Sequence, residues 1–144
     1  SDPDLAGPHA NLGLLLLRRE DRLPEATTEL ERATTLAPRE PAAWTALGVA
    51  YRRAGKFTQA GDAYRHALAV APDDADAVLD LGILDDLYLG DAAQGLALYT
   101  RYLALRPAGD PAVAKWVADL KNRHVGTTAP AASAPAGAAP KEKP

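Results

Sequence analysis

Between residues 44 and 72, apolar side chains fall into two stripes. Trp44, Leu47, Gly48 and Tyr51 recur at i, i+3, i+4 and i+7, which is one face of an amphipathic helix. Gly55-Lys56 interrupts that pattern. A second stripe follows at Ala60, Ala63, Tyr64, Ala67 and Leu68, and Pro72 ends it. Gly48, Ala60 and Ala67 carry almost no side chain, so two helices can approach closely at these points. Trp44, Leu47, Tyr51 and Tyr64 are the large residues that fill the space around them. Asp73 or Asp74 is placed to cap the next helix.

The same punctuation occurs twice more. Leu12-Gly13 leads to Leu16, Ala26, Leu30, Ala33 and Pro38, and Leu81-Gly82 leads to Gly95, Tyr99, Tyr102 and Pro107. From glycine to closing proline the three distances are 25, 24 and 25 residues, and successive prolines lie 34 and 35 apart. A self-similar period of this size with two helices per unit marks a helical solenoid. The pattern predicts helices near 8–19, 24–37, 41–54, 57–70, 74–89, 92–105 and 111–123. The seventh has Asp110 as its N-cap and Pro111 at its first position. Its Val113, Trp116, Val117 and Leu120 form one stripe, with Lys115, Asp119, Lys121 and Arg123 opposite, as the end of a solenoid requires.

Residues 41–74 resemble a tetratricopeptide repeat, whose pattern is Trp-x2-Leu-Gly-x2-Tyr, then Ala-x3-aromatic, then Pro. The outer repeats match more loosely. His9 and Leu16 replace the tryptophan and tyrosine in the first, and Val78 and Asp85 replace them in the third. Each outer repeat has one extra residue between its helices. In the third it precedes Gly90, predicting a first helix one residue longer. The resemblance spans roughly 8–107. It implies an all-α fold, a right-handed α-solenoid of three helix-turn-helix repeats with a C-terminal capping helix. The expected divisions are an N-terminal extension over 1–7, repeats over 8–40, 41–74 and 75–109, and a cap over 110–124. Residues 125–144 are rich in alanine and proline, with too little apolar bulk to offset ordering entropy. They are expected to be a disordered tail or linker, or else to lie in a binding groove.

The resemblance further implies a protein-interaction module, a scaffold or adaptor. In this family the first helix of each hairpin lines a concave surface that takes a peptide or partner domain. Carried onto this chain, that face holds Ala10, Leu14, Leu17 and Arg18, then Thr45, Val49 and Arg52, then Asp76, Leu79, Asp80, Ile83 and Asp86. An apolar centre, arginines toward the first two repeats and three aspartates on the third suit a peptide with apolar anchors and a basic end. Chaperone adaptors of the family clamp a C-terminal Glu-Glu-Val-Asp with lysines, arginine and asparagines. The matching positions here are Ala10, Leu14, Ala46, Asp76 and Asp80. None is basic, so an acidic tail is expected to be repelled.

The first helix is apolar nearly all round. Leu12 and Leu16 match core positions, Leu14 and Leu17 match the concave face, and Leu15 is left over on the side where a preceding repeat would stack. Three readings stand: a tolerated exposed leucine, a chain cut from a longer array, or contact with a partner or second copy. The alternative function is accordingly a structural module that self-associates through its N-terminal end.

Composition narrows the setting. Apolar residues make up 47% of the chain but aromatics only 6%, with no methionine and no cysteine. Alanine and leucine therefore dominate, and both favour helix. The lack of cysteine excludes a disulfide scaffold and a thiolate metal site. A net charge of −3 disfavours a nucleic-acid partner. The run Leu14–Leu17 is too short to enter and span a bilayer, and Ser1-Asp2-Pro3-Asp4 does not have the shape of a signal peptide. Both the cytoplasm and the periplasm or envelope stay open. Eleven arginines against five lysines, with abundant alanine, look like a GC-rich bacterial genome. The setting expected is a bacterial envelope, secretion, motility or pilus-assembly machine.

Candidate chemistry adds little. Asp73, Asp74, Asp76 and Asp80 look like a calcium loop, but Val78 stands where the bend glycine belongs and Leu84 where the bidentate glutamate belongs. His9, His66 and His124 are scattered and lack metal-like spacing, so surface histidines are expected. No glycine-rich phosphate loop occurs. The expectation is an interaction protein without catalysis, cofactor or metal.

Overall fold

The structure is a computed structural model, and it describes residues 3–123. The chain divides into two compact units, residues 1–77 and 78–144. Among the described residues there is no β-strand.

In the first unit, α1 (Pro3–Leu17) is followed by a 3-10 turn (Glu20–Arg22), α2 (Leu23–Leu36), α3 (Pro41–Arg53) and α4 (Phe57–Val70). Pro24 and Pro41 stand at the starts of their helices, where a missing N–H costs nothing. The small residues set the hairpin spacing. A Cβ on Gly13 would lie 2.6 Å from the Leu30 side chain, and one on Gly48 only 2.4 Å from the Tyr64 ring. The repeat is thus visible as a contact, glycine on the first helix against a large side chain on the second. Trp44 closes the middle hairpin. Its ring stacks on His66 at 4.2 Å, and its Nε1 donates to the Pro38 carbonyl at 2.8 Å. In the first hairpin His9 takes this position and pairs through Nδ1 with Glu29 at 2.5 Å, half-buried rather than on the surface. Between the hairpins α2 packs on α3, and the Tyr51 hydroxyl donates to Glu31 at 2.5 Å.

The second unit takes in most of α5 (Ala75–Ile83), a π-helical turn (Leu84–Tyr88), α6 (Ala92–Ala104) and α7 (Pro111–Asn122). Gly82 lies against Tyr99 and Leu98, repeating the glycine contact of the other hairpins. On α7, Val113, Trp116, Val117 and Leu120 are buried, and the Trp116 ring sits 5.3 Å from that of Tyr99. Asp110 caps α7 by accepting from the Val113 N–H, and its other oxygen accepts from the Tyr102 hydroxyl at 2.8 Å. Asp74 similarly accepts from the Ala77 N–H in the first turn of α5.

The two extra residues are absorbed differently. In the first hairpin the connection becomes the 3-10 turn. In the third, the Leu89 N–H bonds five residues back to Leu84, so the surplus residue sits inside the helix as a π-turn. Gly90, at φ +71°, then turns the chain, as Gly55 does at +79° in the middle hairpin.

Three expectations need correction or fall elsewhere. The helix predicted from residue 8 begins at Pro3, so most of the proposed 1–7 extension is helical. Pro8 stands inside this helix, where it has no N–H to donate. Leu12, expected in the core, is 44% exposed. The alanine- and proline-rich tail and His124 lie outside the described residues.

Candidate peptide-binding face

Helix geometry groups the predicted face by repeat. Ala10, Leu14 and Leu17 on α1 occupy the same repeat positions as Thr45, Val49 and Arg52 on α3, each set spaced i, i+4, i+7. Leu14 and Arg18 are exposed; Ala10, Leu17, Thr45, Val49 and Arg52 are half-buried. The alternate face of α3 is closed: Ala43, Ala46, Leu47, Ala50 and Tyr51 are all buried. Thr45 donates its hydroxyl back to the Pro41 carbonyl at 3.1 Å. Adjacent to this stripe, Arg53 donates through Nη1 to the Leu17 carbonyl. This clamp places a cation on the last turn of α1, which has no basic residue of its own.

On α5, Asp76 is exposed and Leu79, Asp80 and Ile83 are half-buried, with Asp76 and Asp80 one turn apart. Asp86 does not belong with them. It is buried, its carboxylate accepts from the Tyr99 hydroxyl at 2.9 Å, and its Cβ would sit 2.8 Å from a Cβ on Gly95. The reason is the π-turn. One surplus residue after Ile83 rotates the register, carrying Asp86 inward and leaving Leu87 half-exposed one position later. Sequence spacing missed Leu87 for the same reason. Asp85 is buried as well. Burial, then the neighbouring Asp86 carboxylate, pushes the Tyr99 hydroxyl pKa strongly upward.

No group of three or more His, Cys, Asp or Glu among the described residues could hold a metal ion. Nor, among them, is any helix long and apolar enough to cross a membrane.

Hairpins in which a glycine meets a large side chain, a capped closing helix and less buried stripes on the first helices define a helical-repeat protein. Residues 41–84 match the tetratricopeptide repeat family model. Over 66 residues, 46% of the chain, it is 33% identical to Superkiller protein 3 of Schizosaccharomyces pombe, and it spans 5% of that protein's length. Among solved structures it is similar to the first TPR domain of human RPAP3, with a TM-score of 0.75 and 20% identity over 83% of this chain and 92% of that one. It is also similar to the first TPR of Spaghetti (RPAP3) bound to the HSP90 peptide SRMEEVD, with a TM-score of 0.76 and 19% identity over 86% and 96%. The Sgt2 TPR domain from Aspergillus fumigatus gives 0.73 and 18% over 87% and 85%. At these identities the likeness is one of fold: an all-α solenoid of helical hairpins.

Proposed function

We propose that this chain is a protein-interaction module that holds a peptide or partner segment against the outward stripes of its first helices. The reading includes no catalytic step and no cofactor. One observation carries it: α1 and α3 keep the same three repeat positions, Ala10-Leu14-Leu17 and Thr45-Val49-Arg52, exposed or half-buried, while the other face of α3 is buried. The stripe is apolar at its middle position in both, Leu14 and Val49, which is where a peptide's side chains would be desolvated. In the second unit, taken by itself, Leu79, Ile83 and Leu87 are half-exposed.

The ligand expected is a peptide with apolar anchors and a basic end, drawn by Asp76 and Asp80 on α5. The Spaghetti domain holds the acidic SRMEEVD peptide. Here Ala10, Leu14, Ala46, Asp76 and Asp80 stand at the positions of the clamp, without a cation among them, so an acidic tail is disfavoured. The arginine- and alanine-rich composition favours a bacterial multi-protein assembly as the setting.

Selection from a random peptide library tests the reading. The wild-type chain is expected to enrich peptides with two or more apolar residues and a terminal Lys or Arg. Val49→Glu is expected to weaken their binding by about tenfold or more, because a carboxylate would be desolvated against the apolar anchor. Asp80→Lys is expected to abolish the basic preference. Recovery of acidic-tailed peptides, or of the same peptides with Val49→Glu, contradicts it.

A further inference from the structure

The first helices of the hairpins differ in charge. On α5, Asp76 and Asp80 lie one turn apart and no residue is basic, whereas Arg18 follows α1 and Arg52 and Arg53 stand in the last turn of α3. Within the second unit the same element is apolar beside its acid. Leu79, Ile83 and Leu87 are half-exposed, and Leu89, which follows the π-turn, is 41% exposed. From Asp80 to Leu89 this strip runs about 14 Å at the helical rise. Beyond the described residues the sequence holds a segment of matching chemistry. Residues 129–140 contain only alanine, proline, one glycine and one serine, and Lys141 and Lys143 follow. An extended chain rising about 3.1 Å per residue covers the strip with about five residues, Ala136 to Lys141.

We propose that residues 129–143 of this chain dock on the α5 strip, with Lys141 and Lys143 at its acidic end and the alanines and prolines over Ile83, Leu87 and Leu89. The inference deepens the peptide-binding reading and rests on it: the chain supplies its own occupant for α5, and a partner has to displace it. Charge selects both the occupant and the place. Lysines after an apolar run are what α5 attracts, and the arginines at the ends of α1 and α3 repel them. Composition keeps the cost of docking low. Between 129 and 140 only Ser133 has a polar side chain to desolvate, and proline has little backbone freedom left to lose. Residues 124–135 span up to about 40 Å from the end of α7, while α5 is about 14 Å long, so the segment reaches this strip within its own unit. A tether of this length presents its segment at an effective concentration on the order of 1 mM. A segment too weak to bind from solution is thereby held in place, and the affinity for an outside peptide falls with the fraction of chains left open.

The chain has no cysteine, so a single nitroxide on Ser133→Cys in the full chain reports alone. Amide NMR is expected to show it broadening Leu79, Asp80, Ile83 and Leu87. Lys141→Glu with Lys143→Glu is expected to abolish that broadening while far-ultraviolet circular dichroism stays helical. A synthetic peptide of residues 129–144 is expected to bind this double variant about threefold or more tighter than it binds the wild-type chain, because the tethered competitor has been released. Broadening that is absent, spread evenly or centred on α1 and α3 overturns the proposal. So does broadening of α5 only when nitroxide and observed amides are on different copies, or equal affinity of the peptide for both chains. If the α5 amides stay sharp while a library-selected peptide still binds, this inference falls and the peptide-binding reading stands. If that peptide fails on the double variant as well, the reading falls with it.

Discussion

Gly48 sets how closely α3 approaches α4, and the neighbouring side chain decides what a substitution there costs. An added methyl would meet the Tyr64 ring at 2.4 Å, and that ring is fully buried and cannot retreat. Alanine gains about 1 kcal/mol over glycine inside a helix, but overpacking a filled core costs roughly 1–3 kcal/mol, and a contact this short lies at the upper end. Gly48→Ala is therefore expected to lower stability by about 1–2 kcal/mol, read from the urea midpoint. Gly7→Ala on α1, with nothing within 4 Å, is expected to raise it by up to about 1 kcal/mol. Tyr51 makes a prediction about pH. Burial, and then the hydrogen bond to Glu31, raise its pKa from 10.0 to about 12. A folded value above the unfolded one means its contribution is complete below pH 10 and is lost as pH rises through 12. Tyr51→Phe is expected to melt lower at neutral pH and to show a shallower fall in melting temperature between pH 10 and 12. Tyr99, also shifted upward, adds to the slope in both chains. An unchanged slope in Tyr51→Phe would contradict the assignment.

At the scale of the element, periodicity was a reliable guide wherever an apolar stripe and its stop signal agreed. Pro41, Pro111 and Asp110 mark helix starts that the structure keeps. Counting residues showed that the first and third hairpins each carry one more than the middle one, but a count does not say where the chain puts it. A longer α-helix before Gly90 and a π-turn satisfy the same spacing. The π-turn forms with Asp86 turned inward onto Tyr99 beside Gly95, a tertiary arrangement that no local pattern contains. That shift makes Asp86 a structural residue. Asp86→Ala is expected to lower stability by about 1–3 kcal/mol in chemical denaturation, the cost of removing a buried hydrogen-bond acceptor, and to leave peptide preference unchanged. The opposite pattern, altered preference with unaltered stability, would return Asp86 to the binding face. Leu12 teaches the same lesson from the other side. It sits in the same Leu-Gly pair as Leu47 and Leu81, yet its burial depends on whether another helix lies across it.

At the scale of the whole molecule, the fold class was legible because it repeats: three glycine-to-proline intervals and one capped helix leave few alternatives. The positions of the candidate face were legible only as far as the helical register held, which on α5 is to Ile83. The ligand is written in neither the period nor the core, because the residues that would touch it are those the fold leaves free to vary. The central claim is that outward positions on the first helices, and not the second helices, receive a partner. Backbone amide NMR of the chain, titrated with a library-selected peptide, tests this most directly. The account predicts shifts concentrated, within the first unit, at Ala10, Leu14, Leu17, Thr45 and Val49. Shifts confined to α2, α4 and α6 would contradict it.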